Sequence, residues 1–239
     1  MNNKILHHII RSKERGEKLL AVLLDPDKLF IDKLPNIIDK FNQKIDFIFV
    51  GGSSVSSGIT EELVEKIKSY SKLPVILFPG DFSQITPQAD AILFLSLLSG
   101  DNPEYLIKQQ IKSVPSLLAS DLEIIPTGYI LIDGDSHTSV QKISNTTPID
   151  PANIELALHT AIAGMYMGKN LIYLEAGSGA KNPVPLSLIK KVSENITIPL
   201  IVGGGIRNKE QLNNAYKNGA DLIVIGNAFE NDLGLFDKL

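Results

Sequence analysis

Near the carboxyl end of this 239-residue sequence, two short apolar runs are each followed directly by glycine, a pattern suited to binding a ligand. Gly203–Gly205 come directly after Leu200–Val202, and Gly226 follows Leu222–Ile225. Glycine has no Cβ, so its backbone N–H groups stay open to a ligand, and such groups bind phosphate. Two tight turns that need a positive φ are the other interpretation. Three consecutive glycines exceed what one turn requires, so the pattern favours a phosphate or anion cup.

Two carboxylates also follow buried apolar runs: Asp25 comes after Leu19–Leu24, and Glu175 comes after Leu171–Leu174. Asp25 precedes a proline and could form a turn, but a strand-end carboxylate near a serine hydroxyl also suits Mg²⁺. Glu175 is more informative, because burying an unpaired charge costs several kcal/mol. Either a lysine or arginine pairs with this carboxylate, or the carboxylate acts in catalysis.

Apolar runs of strand length alternate with segments of helical periodicity, which predicts parallel β/α units. The predicted strands are residues 19–24, 47–50, 74–78, 91–98, 123–132, 171–174, 200–202 and 222–225. The predicted helices are residues 3–15, 34–41, 60–70, 103–118, 153–167, 186–192 and 209–218. Eight such strands predict one modified TIM (β/α)8 barrel over residues 1–239, with every strand's carboxyl end at one mouth. A doubly wound open sheet is the alternative, which the cup at the end of the chain disfavours.

The connection between the third and fourth predicted strands breaks this pattern. Only Asp81–Asp90 separates them, whereas a helical crossover needs about a dozen residues or more. We expect helix three to be missing or reduced to a turn, which leaves the barrel wall open near residues 78–98. Residues 133–149 form the other irregular piece, a long polar loop that carries His137.

Composition excludes several classes of protein. The chain has no cysteine, which rules out disulfides, thiolate catalysis and Cys-ligated zinc. The net charge is −4 and no basic cluster is longer than Lys190-Lys191, which argues against nucleic acid as a partner. No apolar run approaches the ~20 residues of a membrane helix, and the amino terminus lacks a signal-peptide pattern. We expect a cytoplasmic protein with at most peripheral membrane contact.

The residues alone leave two further functions open. One is a phosphosugar isomerase or aldolase-like barrel, which would usually show an acid/base pair on strands one and five or a Schiff-base lysine. The fifth strand has no such carboxylate before Asp133, and Lys28 lies beyond the first turn. The other is a non-catalytic sensor of a phosphate ligand.

Six motifs occur in one order along nearly the whole chain. They are Leu23-Leu24-Asp25-Pro26-Asp27-Lys28, Val50-Gly51-Gly52-Ser53-Ser54, Pro126-Thr127-Gly128-Tyr129, Tyr173-Leu174-Glu175-Ala176-Gly177-Ser178-Gly179, Gly203-Gly204-Gly205-Ile206-Arg207 and Gly226-Asn227-Ala228. In this the chain resembles the geranylgeranylglyceryl phosphate synthase family, prenyltransferases on modified TIM barrels that also lack a regular third helix. The first and fourth motifs distinguish this family from other phosphate-binding barrels.

The resemblance implies a Mg²⁺ cofactor held by Asp25 and Ser53, and the substrates sn-glycerol 1-phosphate and a prenyl diphosphate. Glu175 and Tyr173 match the catalytic residues at the glycerol hydroxyls. The glycerol phosphate site maps onto Tyr173, Leu174, Glu175, Ala176, Gly177, Ser178, Gly179, Gly203, Gly204, Gly226 and Asn227. A bacterial branch carries lysine where Leu23 stands, so the chain is more similar to the archaeal-type branch, which implies a geranylgeranyl donor. A homo-oligomer, dimer or hexamer, is expected.

Overall fold

A computed structural model describes residues 3–28, 34–41, 44–53, 55–56 and 58–226, and its eight parallel strands close into a barrel. The strands are β1 (Leu19–Leu24), β2 (Phe47–Val50), β3 (Val75–Leu77), β4 (Ala91–Leu97), β5 (Glu123–Leu131), β6 (Leu171–Glu175), β7 (Leu200–Gly203) and β8 (Leu222–Ile225). Each strand pairs with the next in the chain, and β1 closes the barrel against β8 with Leu19 opposite Leu222. The predicted TIM barrel is confirmed.

The helices of the described residues surround the barrel or lie at its ends. They are α1 (Lys4–Arg15), α2 (Leu34–Phe41), α3 (Ile59–Tyr70), α4 (Gln109–Leu118), α5 (Ser139–Ser144), α6 (Ile154–Tyr166), α7 (Leu186–Ser193) and α8 (Lys209–Lys217). A wider π-helical turn, Glu104–Lys108, leads into α4. None of these helices combines the length and the apolar composition that crossing a membrane requires.

The strands are apolar on both faces because each side is covered. Along β6, Leu171 and Tyr173 belong to the inner core of the barrel, whereas Ile172 and Leu174 pack in the outer layer beneath the helices. Strands covered in this way form nearly continuous apolar runs, which is why length and flanking glycines located them in the sequence.

Helix α1 closes the amino end of the barrel. Ile5 and Leu6 are buried among the inner core residues, and their backbone N–H groups donate to the buried Glu123 carboxylate at 2.9 and 2.7 Å. The first N–H groups of a helix have no partner within it, so Glu123 supplies one from the start of β5. Lys13 forms an ion pair with Asp221 at 2.8 Å beside β8. Helix α1 thereby covers the amino end of the barrel.

The third crossover is reduced as predicted. A single 3₁₀ turn, Phe82–Gln84, replaces a helix between β3 and β4. The Asp81 carboxylate caps this turn by accepting the backbone N–H of Ser83 at 2.7 Å. Within the described residues, the connection between β3 and β4 therefore contributes no α-helix to the outer layer.

The prediction that residues 133–149 form one irregular loop is wrong in part, because α5 lies inside it. The Thr138 hydroxyl caps α5 by accepting the N–H of Gln141 at 3.2 Å, and Asn145 ends it with φ +50°. A helix of six residues is too short for apolar periodicity to indicate it.

Candidate active site

A cavity of about 560 Å³ opens at the carboxyl end of the strands. Part of its lining comes from the loops that follow β6, β7 and β8 (residues 177–180, 204–207 and 226), and we call this part the glycine end. Its lining after β1 and β2 (Asp25, Asp27, Lys28 and residues 51–53) is the aspartate end. The apolar arm is lined by Ile85, Ile92, Phe94, Leu95, Tyr105, Gln110 and Ser113. Glu175 and Tyr173 also line the cavity.

Glu175 is the last residue of β6 and is only 6% exposed. Its Oε1 accepts the N–H of Gly177 at 2.7 Å, and its Oε2 lies on the side of the Tyr173 hydroxyl. Burial raises the pKa of Glu175 to about 7, while the Tyr173 O–H and the Gly177 N–H oppose this rise. No lysine or arginine pairs with this carboxylate in the part of the chain that the structure describes. The arrangement leaves a buried base that faces a cavity.

Three aromatic rings pack beside this carboxylate. Phe78 stacks on Tyr173 with ring centroids 5.3 Å apart and planes inclined by 18°, and Tyr129 meets both rings edge-on. Burial first, and then the charge of Glu175, raises the pKa of both tyrosines well above its usual value, so both keep their protons. Among the described residues, the Tyr173 hydroxyl has no partner at full hydrogen-bonding geometry. A ligand hydroxyl could satisfy it.

The glycine end is formed by backbone in left-handed conformations. Gly177, Gly204 and Gly205 have φ of +100°, +80° and +72°, which a residue with a Cβ adopts only with strain. A Cβ at Gly204 would also lie 2.5 Å from Glu175 Oε1 and 2.7 Å from Gly177 N. The Gly177 N–H donates to Glu175, and backbone N–H groups of successive residues in such conformations can form an anion-binding concavity.

Arg207 joins two loops of the glycine end, although sequence reasoning assigned it no role. Its guanidinium donates to the carbonyl oxygens of Ala180 at 2.5 Å and Lys181 at 3.1 Å. The loop after β7 is thereby tied to the loop after β6. A single arginine after a glycine run carries no pattern that would predict these contacts.

The structure brings most of the predicted site residues to the cavity. Those that line it are Asp25, Ser53, Tyr173, Glu175, Gly177, Ser178, Gly179, Gly204 and Gly226. Leu174 and Ala176 do not, because their side chains belong to the outer layer. Gly203 lies behind Tyr173 and Glu175, where a Cβ would meet the Tyr173 hydroxyl and Glu175 Oε2. Asn227 lies outside the described residues.

At the aspartate end, Asp25 already has partners. Its Oδ2 pairs with the Lys28 ammonium at 2.5 Å, and its Oδ1 accepts the N–H of Asp27 at 3.2 Å. No cluster of three metal-binding side chains occurs in the described ranges. Mg²⁺ binds through one or two carboxylates and completes its shell with water and phosphate oxygens. Asp25 and Ser53 therefore fit Mg²⁺ that arrives with a diphosphate better than a free ion.

The apolar arm leaves the barrel where the third helix is absent. Its lining combines Ile85 after the 3₁₀ turn and Phe94 of β4 with Tyr105 of the π-helical turn and Ser113 of α4. The sequence predicts an opening near residues 78–98, but it carries no signal that α4 residues line it.

With this geometry in view, comparison with known proteins identifies the family. A family model described as the PcrB family matches residues 9–238. The chain belongs to the PcrB family. A geranylgeranylglyceryl phosphate synthase of Flavobacterium johnsoniae is 53% identical over 243 residues, covering 100% of both chains. One of Zunongwangia profunda is 55% identical over 228 residues, covering 95% of this chain and 97% of the relative.

A solved relative agrees in fold. The crystal structure of (S)-3-O-geranylgeranylglyceryl phosphate synthase from Thermoplasma acidophilum, in complex with sn-glycerol-1-phosphate, has a TM-score of 0.92 to this chain. The two are 34% identical, and the match covers 98% of this chain and 94% of the other. The resemblance seen in the six motifs is confirmed, and this PcrB-family protein is an enzyme of the prenyltransferase class.

Proposed function

We propose that the enzyme joins geranylgeranyl diphosphate to sn-glycerol 1-phosphate with Mg²⁺, forming the prenyl ether of glycerol phosphate and pyrophosphate. The observation that carries this proposal is the continuity of the cavity. A glycine end suited to a phosphate, an aspartate end suited to a metal diphosphate and an apolar arm meet beside one buried base. The relatives named synthases of this kind support it.

The reaction breaks the bond between the allylic carbon and the diphosphate oxygen and forms a carbon–oxygen bond to a glycerol hydroxyl. The electron pair of the broken bond leaves with pyrophosphate, and the hydroxyl proton passes to the Glu175 carboxylate. A base is most effective when its pKa lies near the working pH, and that of Glu175 is about 7. The Tyr173 hydroxyl, on the same side as Oε2, holds the glycerol in line.

The allylic carbon gains positive charge as the diphosphate leaves. The rings of Phe78, Tyr129 and Tyr173 present an electron-rich surface next to the base. Aromatic faces attract cations, and more strongly where water is excluded. We assign these rings to stabilising that charge.

The aspartate end would hold the diphosphate with its metal. Asp25 and Ser53 supply oxygen ligands for Mg²⁺, which would neutralise charge on the departing pyrophosphate. The Lys28 ammonium, paired with Asp25, lies at the same end and can contribute a further positive charge. The prenyl tail would follow the apolar arm past Phe94 and Tyr105.

We also propose a homo-oligomer. Ile107, Ile111, Val114 and Leu118 repeat at helical spacing along α4 and the turn before it, and are 52%, 62%, 43% and 82% exposed. A second copy of the chain would cover this apolar stripe. Ile111→Glu should lower the mass measured by light scattering after gel filtration, whereas an unchanged mass would contradict this assignment.

One assay tests the catalytic proposal. Purified protein is incubated with sn-glycerol 1-phosphate, MgCl2 and geranylgeranyl, farnesyl or geranyl diphosphate, and both the ether product and pyrophosphate are measured. We expect the geranylgeranyl ether to form fastest, with little product from free glycerol or in excess chelator. Phosphate-ligand binding without any ether product would contradict the proposal and favour a sensor.

A further inference from the structure

The 3₁₀ turn that replaces the third helix carries a buried side chain with no role so far. Gln84 is 2% exposed and does not line the cavity. Its amide Nε2 donates to the carbonyl of Gly52 at 2.8 Å. Its Oε1 accepts the N–H groups of Gly52 at 3.3 Å and of Gly80 at 3.2 Å. One side chain thus joins the loop after β2 to the loop after β3.

These bonds continue the sheet where its own pairing ends. The last residue pair between β2 and β3 is Val50 with Leu77. Beyond it, Gln84 binds both the N–H and the carbonyl of Gly52, as a residue of a neighbouring strand would. Because Gly51 and Gly52 have unusual backbone freedom, this segment would otherwise be poorly fixed.

The Gly52 peptide group, which Gln84 binds, lies against the aspartate end. A Cβ at Gly52 would lie 2.8 Å from Asp25 Oδ1, so the Gly52 backbone packs against that carboxylate. A Cβ at Gly80 would lie 2.8 Å from the carbonyl oxygen of Ser53. Asp25, Gly52, Ser53 and Gly80 all line the cavity, whereas Gln84 acts from behind them.

We propose that Gln84 is a positioning residue that preforms the site for a metal diphosphate by holding the Gly52–Ser53 backbone against Asp25. This inference rests on the proposed function, since it concerns the donor substrate of that reaction. The glycine end follows β6 to β8, none of which pairs with β2 or β3, whose loops Gln84 joins, so Gln84 should have no effect on glycerol phosphate.

The test compares Gln84→Met with Gln88→Met by calorimetric titration. Methionine keeps the length of the side chain and removes all three hydrogen bonds, whereas Gln88 is exposed in the same connection and serves as the matched control. The ligands are sodium pyrophosphate with MgCl2, and separately sn-glycerol 1-phosphate. We expect Gln84→Met to weaken magnesium pyrophosphate binding about tenfold and to leave glycerol phosphate binding unchanged. Gln88→Met should match the wild type for both.

A second variant, Gln84→Glu, helps to distinguish a loss of positioning from a general loss of stability. Gln84→Glu keeps the two accepted bonds but places a carboxylate oxygen against the Gly52 carbonyl, so it should weaken pyrophosphate binding at least as much. Thermal unfolding and glycerol phosphate binding show whether each variant is folded. Equal loss of both ligands would overturn the positioning role in favour of general stability. Wild-type pyrophosphate binding in both Gln84 variants would overturn it as well.

The outcomes separate this inference from the proposed function. If the wild type itself fails to bind magnesium pyrophosphate, the proposed function fails and this inference fails with it. If the wild type binds and the Gln84 variants bind equally well, only the inference fails. The steady-state KM for geranylgeranyl diphosphate should rise about tenfold in Gln84→Met, with the KM for glycerol phosphate unchanged.

Discussion

The two ends of the cavity are formed in different ways. The glycine end is formed mainly by backbone at Gly177, Gly204 and Gly205, in the loops that follow β6 and β7, and at Gly226 after β8. The aspartate end depends on side chains: the Asp25–Lys28 pair and the hydrogen bonds of Gln84. Backbone positions follow from the barrel itself, whereas each side-chain contact can be lost through one substitution. The glycine end should therefore resist mutation except by added bulk, and the aspartate end should be sensitive to many single changes.

Glu175 is the buried base of the cavity that both ends share, so its substitution should have the largest effect. Glu175→Gln is nearly isosteric and removes the base, and we expect the rate to fall roughly 10²–10⁴-fold. Glu123→Gln, at the amino end of the barrel, is the control, since the Glu123 carboxylate accepts the N–H groups of Ile5 and Leu6 in helix α1. The control should lose stability but keep its specific activity. Near-normal turnover in Glu175→Gln would show that the base lies elsewhere.

Added bulk at the glycine end should act on the acceptor alone. A Cβ at Gly204 would meet Glu175 and Gly177 themselves, so Gly226 is the cleaner probe. Within the described part of the chain, a Cβ at Gly226 would meet only Leu23 within 4 Å, at 3.8 Å, so we expect a side chain there to intrude on the ligand without disturbing the fold. We expect Gly226→Val to raise the KM for glycerol phosphate on the order of a hundredfold, with the barrel intact. A normal KM for glycerol phosphate would show that its phosphate binds elsewhere in the cavity.

A single substitution at the aspartate end should act on the donor. Asp25→Asn removes the carboxylate charge that we propose holds the metal, and losing even an outer partner of a metal ligand typically costs about 10–100-fold in metal affinity. We expect the half-maximal MgCl2 concentration to rise and most turnover to be lost at ordinary concentrations. Glycerol phosphate binding, measured by titration, should not change. Full activity of the wild type in excess chelator would refute the metal assignment.

The pKa of Glu175 predicts a pH dependence in both activity and stability. Activity needs the carboxylate, so kcat/KM should fall tenfold per pH unit below about pH 7. The unfolded chain ionises this group near pH 4.5, so the stability contribution falls as the pH rises from 4.5 to about 7. The total loss is about 3 kcal/mol. Glu175→Gln should therefore unfold at a higher temperature than the wild type at pH 8, but not at pH 4.5; equal melting temperatures at pH 8 would contradict the raised pKa.

The aromatic cluster should give the smallest effect. Phe78→Leu keeps an apolar side chain at the edge of both ends and removes one ring. A cation–π contact is worth about 1–2 kcal/mol where water is excluded, so kcat should fall about five- to thirtyfold. Binding of both substrates should stay normal. An unchanged kcat would show that the rings only pack in the core and do not stabilise the charge on the allylic carbon.

The fold and the mouth of the site were predictable because they rest on local signals. Apolar runs that end in glycine or a carboxylate located the strand ends, and the short Asp81–Asp90 connection predicted the reduced third crossover. Matching the fourth motif as a continuous run also assigns Leu174 and Ala176 to the site, whereas strand alternation turns both into the outer layer.

The contacts between distant segments could not be predicted. Tyr129 and Tyr173 come from β5 and β6 and Phe78 directly follows β3, and only closure of the barrel brings their rings together. The hydrogen bond from Gln84 to Gly52 spans 32 residues. Glutamine in a polar connection is ordinarily exposed, so nothing in the sequence marked this one as buried.

Helix α1, which covers the amino end of the barrel, has a consequence for how the chain folds. Its first turn needs Glu123, and its Lys13 pairs with Asp221, beside the last strand. On the ribosome these partners are translated long after the helix, and β1 cannot complete its pairing until β8 has emerged. The amino-terminal segment must therefore wait with its apolar face uncovered, and contacts of such long sequence separation fold slowly. We expect docking of this helix to be a late step, and nascent chains that end before residue 222 to stay sensitive to protease.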